Sequence, residues 1–327
     1  EGWCVQQACD FIDGSGDAPF CMQVSLPKPH QCYTPDARFW EMYPDDLDLP
    51  ETFNDDPSQR PAMFQEAVQN FQQLQGQYQP QDNESLARRI WKGYLACITH
   101  VDHALGLLMD HLEKSGQADR TIVIYHSDHG AYSTRYGLFE KAPGICSESV
   151  CRVPYLWHVP GMTPAGKTCE QLVENIDIAA TITGLCNIPA MTTTDGKNIA
   201  PLLQGKDEPV RQMAVTEHAW SKSIRWEQWR LVHYQPDMFE GKDVGELYDL
   251  KNDPLERRNL YHDPASEHLV HQGRQLLLQW LIDTTRPCTV WPAPNWPSMK
   301  YDLAPDGKES NKAGVKLRVT RGQLAYL

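Results

Sequence analysis

The chain has 327 residues, 30 Lys plus Arg against 43 Asp plus Glu, and a formal net charge of -13. No basic run relieves that field, which argues against nucleic acid as a partner. A hydrophobic content of 41%, a mean hydropathy of -0.54 and no apolar stretch long enough to span a bilayer read as a water-soluble globular protein, one large domain or a large one with a small companion.

Glu1-Gly-Trp-Cys opens the chain without an initiator methionine, a charged n-region or an apolar leader, and the expectation is that another segment precedes it in the gene product. Residues 3–12 are predicted as a short helix, and Asp13-Gly-Ser-Gly-Asp17 as a turn. Residues 19–26 read as a buried strand ending in Pro27-Lys28-Pro29-His30, where the prolines hold the chain extended and present Lys28 and His30 at a strand end. From Gln31 to about Glu84 the sequence is rich in Pro, Asp, Asn and Gln, and long loops across the mouth of a site are expected.

Residues 86–114 are strongly helical in pattern. Ile98, Val101, Leu105, Leu108 and Leu112 recur at three- and four-residue steps, Gly116 is a plausible stop, and His100, Asp102 and His103 read as a polar flank. None of the ten cysteines forms a Cys-x-x-Cys pair, so a structural zinc site is unsupported; Cys21 and Cys97, within apolar-periodic segments, read as buried thiols, and one or two disulfides stay open because spacing cannot assign them.

The run Thr121-Ile-Val-Ile-Tyr-His-Ser-Asp-His-Gly130 carries the densest chemistry. Ile122 to Tyr125 fit a strand covered on both faces, as in a parallel sheet, and ligands bind beyond the carboxyl ends of such strands, where Asp128 and His129 lie. Consecutive strand side chains point to opposite faces, so both can reach one cation only if the chain leaves strand geometry there, which Gly130 makes easy. A helix-capping Ser127-Asp128 with an ordinary loop His129 accounts for these residues equally well.

A strand is expected over residues 153–159 and a helix from Glu174-Asn-Ile-Asp177 through Leu185. After Gly205-Lys206-Asp207 the texture changes to short β-rich runs, Leu231–Tyr234 and Glu246–Leu250 among them, with a covering helix over residues 268–282. The boundaries expected are an α/β domain over 1–206, a small α+β subdomain over 207–286, and an extended arm over 287–327 that packs on the body or on a neighbouring subunit of a homo-oligomer.

In this order the segments resemble the sulfatase family of the alkaline-phosphatase superfamily. The resemblance rests on Ser25-Leu-Pro-Lys-Pro-His30, the helix from Tyr94 to Leu112, Thr121 to Gly130, Gly137-Leu-Phe-Glu-Lys141 followed by Glu148 and Arg152-Val-Pro154, Asp195-Gly-Lys with Leu202-Leu-Gln-Gly205, and Glu246-Leu-Tyr-Asp-Leu-Lys-Asn-Asp-Pro254. The resemblance implies an α/β fold with a mixed, mostly parallel sheet flanked by helices, plus a small C-terminal antiparallel sheet with one helix. It implies a sulfuric ester hydrolase in which Asp128 and His129 ligate a divalent cation, most often Ca2+, with Mn2+ or Mg2+ as alternatives. Lys141 would touch the sulfate and the nucleophile, His30 would bind sulfate or assist the leaving alcohol, and Lys28 and His218 would reach substrate at the rim.

None of the ten cysteines stands in the family's Cys/Ser-x-Pro/Ala-x-Arg context that yields formylglycine, and no early strand ends in paired aspartates. The expectation is the C-terminal part of such an enzyme, inactive alone and dependent on an N-terminal segment or chain for formylglycine and further metal-binding aspartates. The substrate would be a sulfated small molecule or glycan. A phosphonate or phosphate ester hydrolase and a non-catalytic binder of sulfated ligands are the alternatives. The lone sequon Asn83-Glu84-Ser85 leaves the compartment undecided, with a secreted, periplasmic or lysosomal setting favoured over a cytoplasmic one.

Overall fold

The computed structural model describes residues 1–78, 83–139, 141, 146–189, 194–218 and 220–285. In chain order these form helices α1 (Gly2–Ser15), α2 (Ala37–Trp40), α3 (Ala62–Tyr78) and α4 (Asn83–Lys114), strand β1 (Val123–His126), helix α5 (Glu148–Cys151), strand β2 (Tyr155–His158), helices α6 (Asp177–Leu185) and α7 (Ala200–Leu203), strands β3 (Met213–His218), β4 (Ser221–Trp226), β5 (Trp229–Tyr234) and β6 (Gly245–Asp249), and helix α8 (Glu267–Thr284). The chain divides into a unit Glu1–Trp280 and a unit Leu281–Leu327. Of the second, residues 281–285 are described and carry the end of α8; the expected arm over 287–327 lies outside the described residues. Among the described residues no helix is long and apolar enough to cross a membrane.

The long helix α4 forms because its apolar positions share one face, with Glu84 in its first turn and His111 and Lys114 in its last matching the helix dipole. It stops where Gly116 takes a left-handed φ of 69° and the Gln117 amide donates to the Leu112 carbonyl. The buried seam is Cys97, Val101, Ala104 and Leu112, whereas Ile98 of the expected stripe is 40% exposed. His100 is not on a polar flank: it is buried and stacked on Phe39 at 4.6 Å.

Three expectations change. Helix α3 occupies part of the region expected to be loop, because Phe64 and Val68, one turn apart, bury against Tyr132, Tyr136 and Leu138 even though the rest of the helix is glutamine-rich. Residues 19–26 join no strand ladder among the described residues; Cys21, Gln23 and Ser25 are exposed while Met22, Val24 and Leu26 are half-buried, so Cys21 is not a buried thiol. Strand β1 pairs with β2 antiparallel, Val123 opposite His158 and His126 opposite Tyr155, not in a parallel ladder. A parallel pair needs a crossover covering one face. The helix that could serve, α4, precedes β1, and the link from β1 to β2 contains only the one-turn α5 among its described helices of α type.

The C-terminal β-rich runs form one sheet. β3, β4, β5 and β6 form an antiparallel meander with Ile224 opposite Leu231 and Leu231 opposite Leu247. One face buries Ile224, Trp226, Leu231 and Leu247 against Tyr261, Val270 and Leu277, the last two from α8. Each such side chain contributes about 1.5–3 kcal/mol.

The other side of this sheet is ionic. Glu246, 1% exposed, accepts from Arg60 Nη1 at 2.9 Å and, through short hydrogen bonds, from the Tyr234 and Tyr248 hydroxyls. Arg60 also donates to the Tyr248 hydroxyl at 2.7 Å and lies over the rings of Phe64, Tyr136 and Tyr248. Burial opposes the guanidinium charge, but Tyr248 and Glu246 outweigh it and raise the Arg60 pKa. A second buried pair, Arg230 with Glu256, lies beside it, and Glu256 accepts from the Glu148 amide at 3.1 Å. Arg60→Ala, which strands Glu246 without its cation, should cost about 3–5 kcal/mol in urea unfolding. Arg257→Ala, which removes an exposed ion pair with Asp55, should cost no more than about 1 kcal/mol. Equal costs for the two would contradict this reading of the network.

Candidate active site

Beyond β1 the chain turns sharply, and its own groups hold the turn. The Ser127 hydroxyl donates to the His129 carbonyl at 2.9 Å, the His129 amide donates to Asp128 Oδ1 at 2.9 Å, and Asn175 Nδ2 donates to the Ser127 carbonyl at 2.8 Å. Gly130 N donates to the Val150 carbonyl at 2.7 Å, and a Cβ at Gly130 would stand 2.2 Å from the Ser149 carbonyl oxygen. Glycine is therefore required here for close approach to α5. Together these contacts turn Asp128 and His129 to the same side, with Asp128 Oδ2 3.5 Å from His129 Nε2.

The imidazole's state follows from its partner. His129 Nδ1 lies 2.8 Å from the Gly130 carbonyl, which can only accept, so Nδ1 carries the proton and Nε2 keeps a free lone pair. That lone pair meets Lys141 Nζ at 3.0 Å. Partial burial raises the Asp128 carboxyl, but the amide and ring of His129 and the Ser127 hydroxyl outweigh it and hold its pKa below the usual value. The trio thus presents a carboxylate, an imidazole lone pair and an ammonium within one side chain's reach of each other.

The other expected residues stand apart from this trio in their described contacts. His30 is exposed, its amide donating to the Pro27 carbonyl at 3.1 Å and its Nδ1 2.7 Å from the Gln31 carbonyl. Lys28 Nζ pairs with Glu1 at 2.8 Å. His218, at the end of β3, packs its ring against Trp220 at 5.2 Å. Ser85-Leu-Ala-Arg-Arg89 reads as the serine form of the formylglycine pattern, but it lies in α4 with Ala87 buried and Arg88 turned to Glu84 and the Leu47 carbonyl, and we assign it to helix structure.

Asn175 was not singled out from sequence. Its segment is anchored by Asp177, fully buried, which pairs with Arg211 and accepts from the Lys197 amide at 2.7 Å, and by Glu174, which accepts from the Val215 amide at 2.6 Å. The signal was the cluster Glu174-Asn-Ile-Asp177, read only as a helix start. As cation donors, Asp128 and His129 fit one side of a site. Among the described residues no group of three or more His, Cys, Asp or Glu side chains could hold a metal, and a calcium ion takes about six to eight oxygens.

The family model described as Sulfatase matches residues 4–188, and that described as N-sulphoglucosamine sulphohydrolase, C-terminal, matches residues 134–282. The chain is 29% identical over 265 residues to a choline-sulfatase of Rhizobium meliloti, covering 77% of this chain and 48% of that protein. It is similar in fold to a solved protein in complex with its substrate D-glucosamine-2-N,6-O-disulfate, at a TM-score of 0.75 and 21% identity, covering 86% of this chain and 69% of the other. It is similar also to the phosphonate monoester hydrolase of Silicibacter pomeroyi, at a TM-score of 0.74 and 19% identity, covering 93% and 62%. These likenesses show the alkaline-phosphatase-like α/β architecture expected from the sequence. The chain spans about half the length of the curated relatives it matches.

Two glycines test the geometry of the turn with opposite signs. Gly130→Ala should cost about 1–3 kcal/mol through the clash with the Ser149 carbonyl. Gly106→Ala, in mid-α4 with nothing within 4 Å of the added Cβ, should stabilise by about 0.5–1 kcal/mol. Thermal unfolding of both variants reads the difference, and a neutral Gly130→Ala would show that α5 does not brace the loop. Because the Asp128 pKa is lowered by folding, the stability it adds is complete above the unfolded carboxylate value and is lost as pH falls through the folded one. Asp128→Asn should therefore lower stability at pH 7 and lose that effect in strong acid, as measured by urea unfolding across pH.

Proposed function

The chain belongs to the sulfatase family, and we propose that it forms the part of a sulfuric ester hydrolase that carries one side of the cation site and the lysine facing the sulfate. The observation that carries this reading is the meeting of Asp128, His129 and Lys141 at the end of β1. Asp128 and His129 Nε2 would hold a divalent cation, most often Ca2+ in the family and with Mn2+ or Mg2+ as alternatives. When bound, the cation neutralises charge on the sulfate oxygens.

This chain's own residues then have distinct tasks. Lys141 places a mobile positive charge where the ester's tetrahedral anion gains charge in the transition state, and such donors contribute most when they are oriented beforehand. In the structure the His129 Nε2 lone pair accepts from Lys141 Nζ at 3.0 Å, which holds the ammonium beside the site, and a cation taking that lone pair would leave Lys141 to the sulfate. His30, exposed beside two prolines, would bind sulfate or give a proton to the leaving alcohol, while Lys28 and His218 would contact substrate at the rim. The formylglycine nucleophile and further metal-binding aspartates would come from a segment outside this sequence, and this chain alone would be inactive. The substrate would be a sulfated small molecule or glycan, a reading supported by the names of the choline-sulfatase relative and of the solved glucosamine disulfate complex.

The likeness to a phosphonate monoester hydrolase supports one second reading, cleavage of phosphonate or phosphate esters by the same groups. A pure binder of sulfated ligands would have little use for a lysine held against a metal-binding histidine. In the full-length gene product, Lys141→Ala should lower kcat/KM for an aryl sulfate about 10²–10³-fold. Hydrolysis at the unmodified rate would remove Lys141 from the chemistry, and faster turnover of a phosphonate monoester than of the matching sulfate by the unmodified protein would favour the second reading.

A further inference from the structure

Cys146-Ser-Glu-Ser-Val-Cys151 places one cysteine before and one at the end of the one-turn helix α5. The Val150 and Cys151 amides donate to the Ser147 carbonyl at 3.0 and 2.8 Å, closing the one-turn α5 and bringing residue 151 back beside the start of the segment. Cys146, 4% exposed, packs with Val232 and Tyr234, and Cys151 packs against the same cluster. Cys146 Sγ lies 3.6 Å from the Ser221 hydroxyl, and the two thiols are near enough for each to shift the other's pKa, Cys146 downward and Cys151 upward. Neither thiol has a part in the proposed chemistry.

We propose that Cys146 and Cys151 are a modification site, forming a disulfide by exchange with a small-molecule disulfide such as oxidised glutathione. Two thiols that pack in one buried cluster at the two ends of a one-turn helix have only to close to the covalent S–S length of about 2.05 Å. One of the pair is also primed as the attacking group. The neighbouring Cys151 thiol, helped by Ser221 and Arg230 against burial, holds the Cys146 pKa below the usual thiol value, while Cys146 and burial raise Cys151. A thiolate beside a thiol is the arrangement that thiol–disulfide exchange uses.

The balance is closed by the oxidant. The Cys146 thiolate attacks one sulfur of oxidised glutathione and expels a glutathione thiolate; Cys151, giving up its proton, attacks Cys146 Sγ of the mixed disulfide and expels the second. Two electrons pass to the glutathione disulfide, and two protons end on the two glutathione thiols. Because Cys146 is nearly buried, exchange in the folded protein runs through local opening of the segment and is faster during folding. The bond would fix α5, whose Val150 carbonyl holds Gly130 beside Asp128 and His129.

The test is on the full-length protein refolded in oxidised glutathione, quenched in acid, denatured and alkylated. The tryptic peptide 142–152 contains both cysteines. The expected result is a peptide lighter by two hydrogens with no alkyl group, which takes two alkyl groups after reduction, while the exposed Cys21, Cys32, Cys169 and Cys186 are not linked to either cysteine. In Cys151→Ser the exchange should stop half way, leaving one glutathionyl group on Cys146. Two alkyl groups on the unreduced peptide, or a bond from Cys146 or Cys151 to any other cysteine, would overturn the assignment.

Discussion

Glu246 is a carboxylate almost without water, and the structure holds together around the donors that surround it. Arg60, between α2 and α3, reaches across to β6, and the Tyr234 and Tyr248 hydroxyls close on the same group. Arg230 and Glu256 repeat the arrangement one strand away, with Glu256 also accepting from the first amide of α5. Buried ion pairs of this kind add little net stability over an apolar contact, but a partner lost leaves an uncompensated charge. Their effect is to fix one relation between the small sheet and the segments that run under it.

That relation reaches the site through α5. Its amide end rests on Glu256, Glu148 pairs with Arg225 of β4 at 2.9 Å, and its Val150 carbonyl receives Gly130. The loop bearing Asp128 and His129 is therefore braced from the four-stranded sheet as well as from β1. Asn175 braces it from the opposite side, itself held by the buried Asp177 and Arg211. Rigid support of this kind lets an exposed carboxylate and imidazole keep one geometry without burying themselves.

The parts of this arrangement visible in the sequence were those carried by local pattern. The apolar run before Ser127 and the glycine after His129 announced a strand leading into a sharp turn, the three- and four-residue steps announced α4, and short β-rich runs announced β5 and β6. Lys141 came from the order of segments in a resemblance; its meeting with His129 is a tertiary fact. Helix α3 was hidden because its glutamines resemble loop and its two buried anchors bind residues about seventy positions away. Residues 19–26 misled because an apolar run signals burial without naming a ladder partner. Arg60 and Arg230 gave no local signal, and Glu246 was read only as part of a β-rich run and motif, since a charge reads as surface until its distant partner is known.

The central claim is that Asp128 and His129 are joint donors to one divalent cation in the complete enzyme. A crystal structure of the full-length gene product grown with Ca2+, with the ion located by anomalous scattering, tests it directly. The account predicts an ion with Asp128 Oδ and His129 Nε2 both in its coordination shell, at about 2.3–2.6 Å for the carboxylate oxygen. An ion bound by other residues, with Asp128 and His129 both outside its shell, would contradict it.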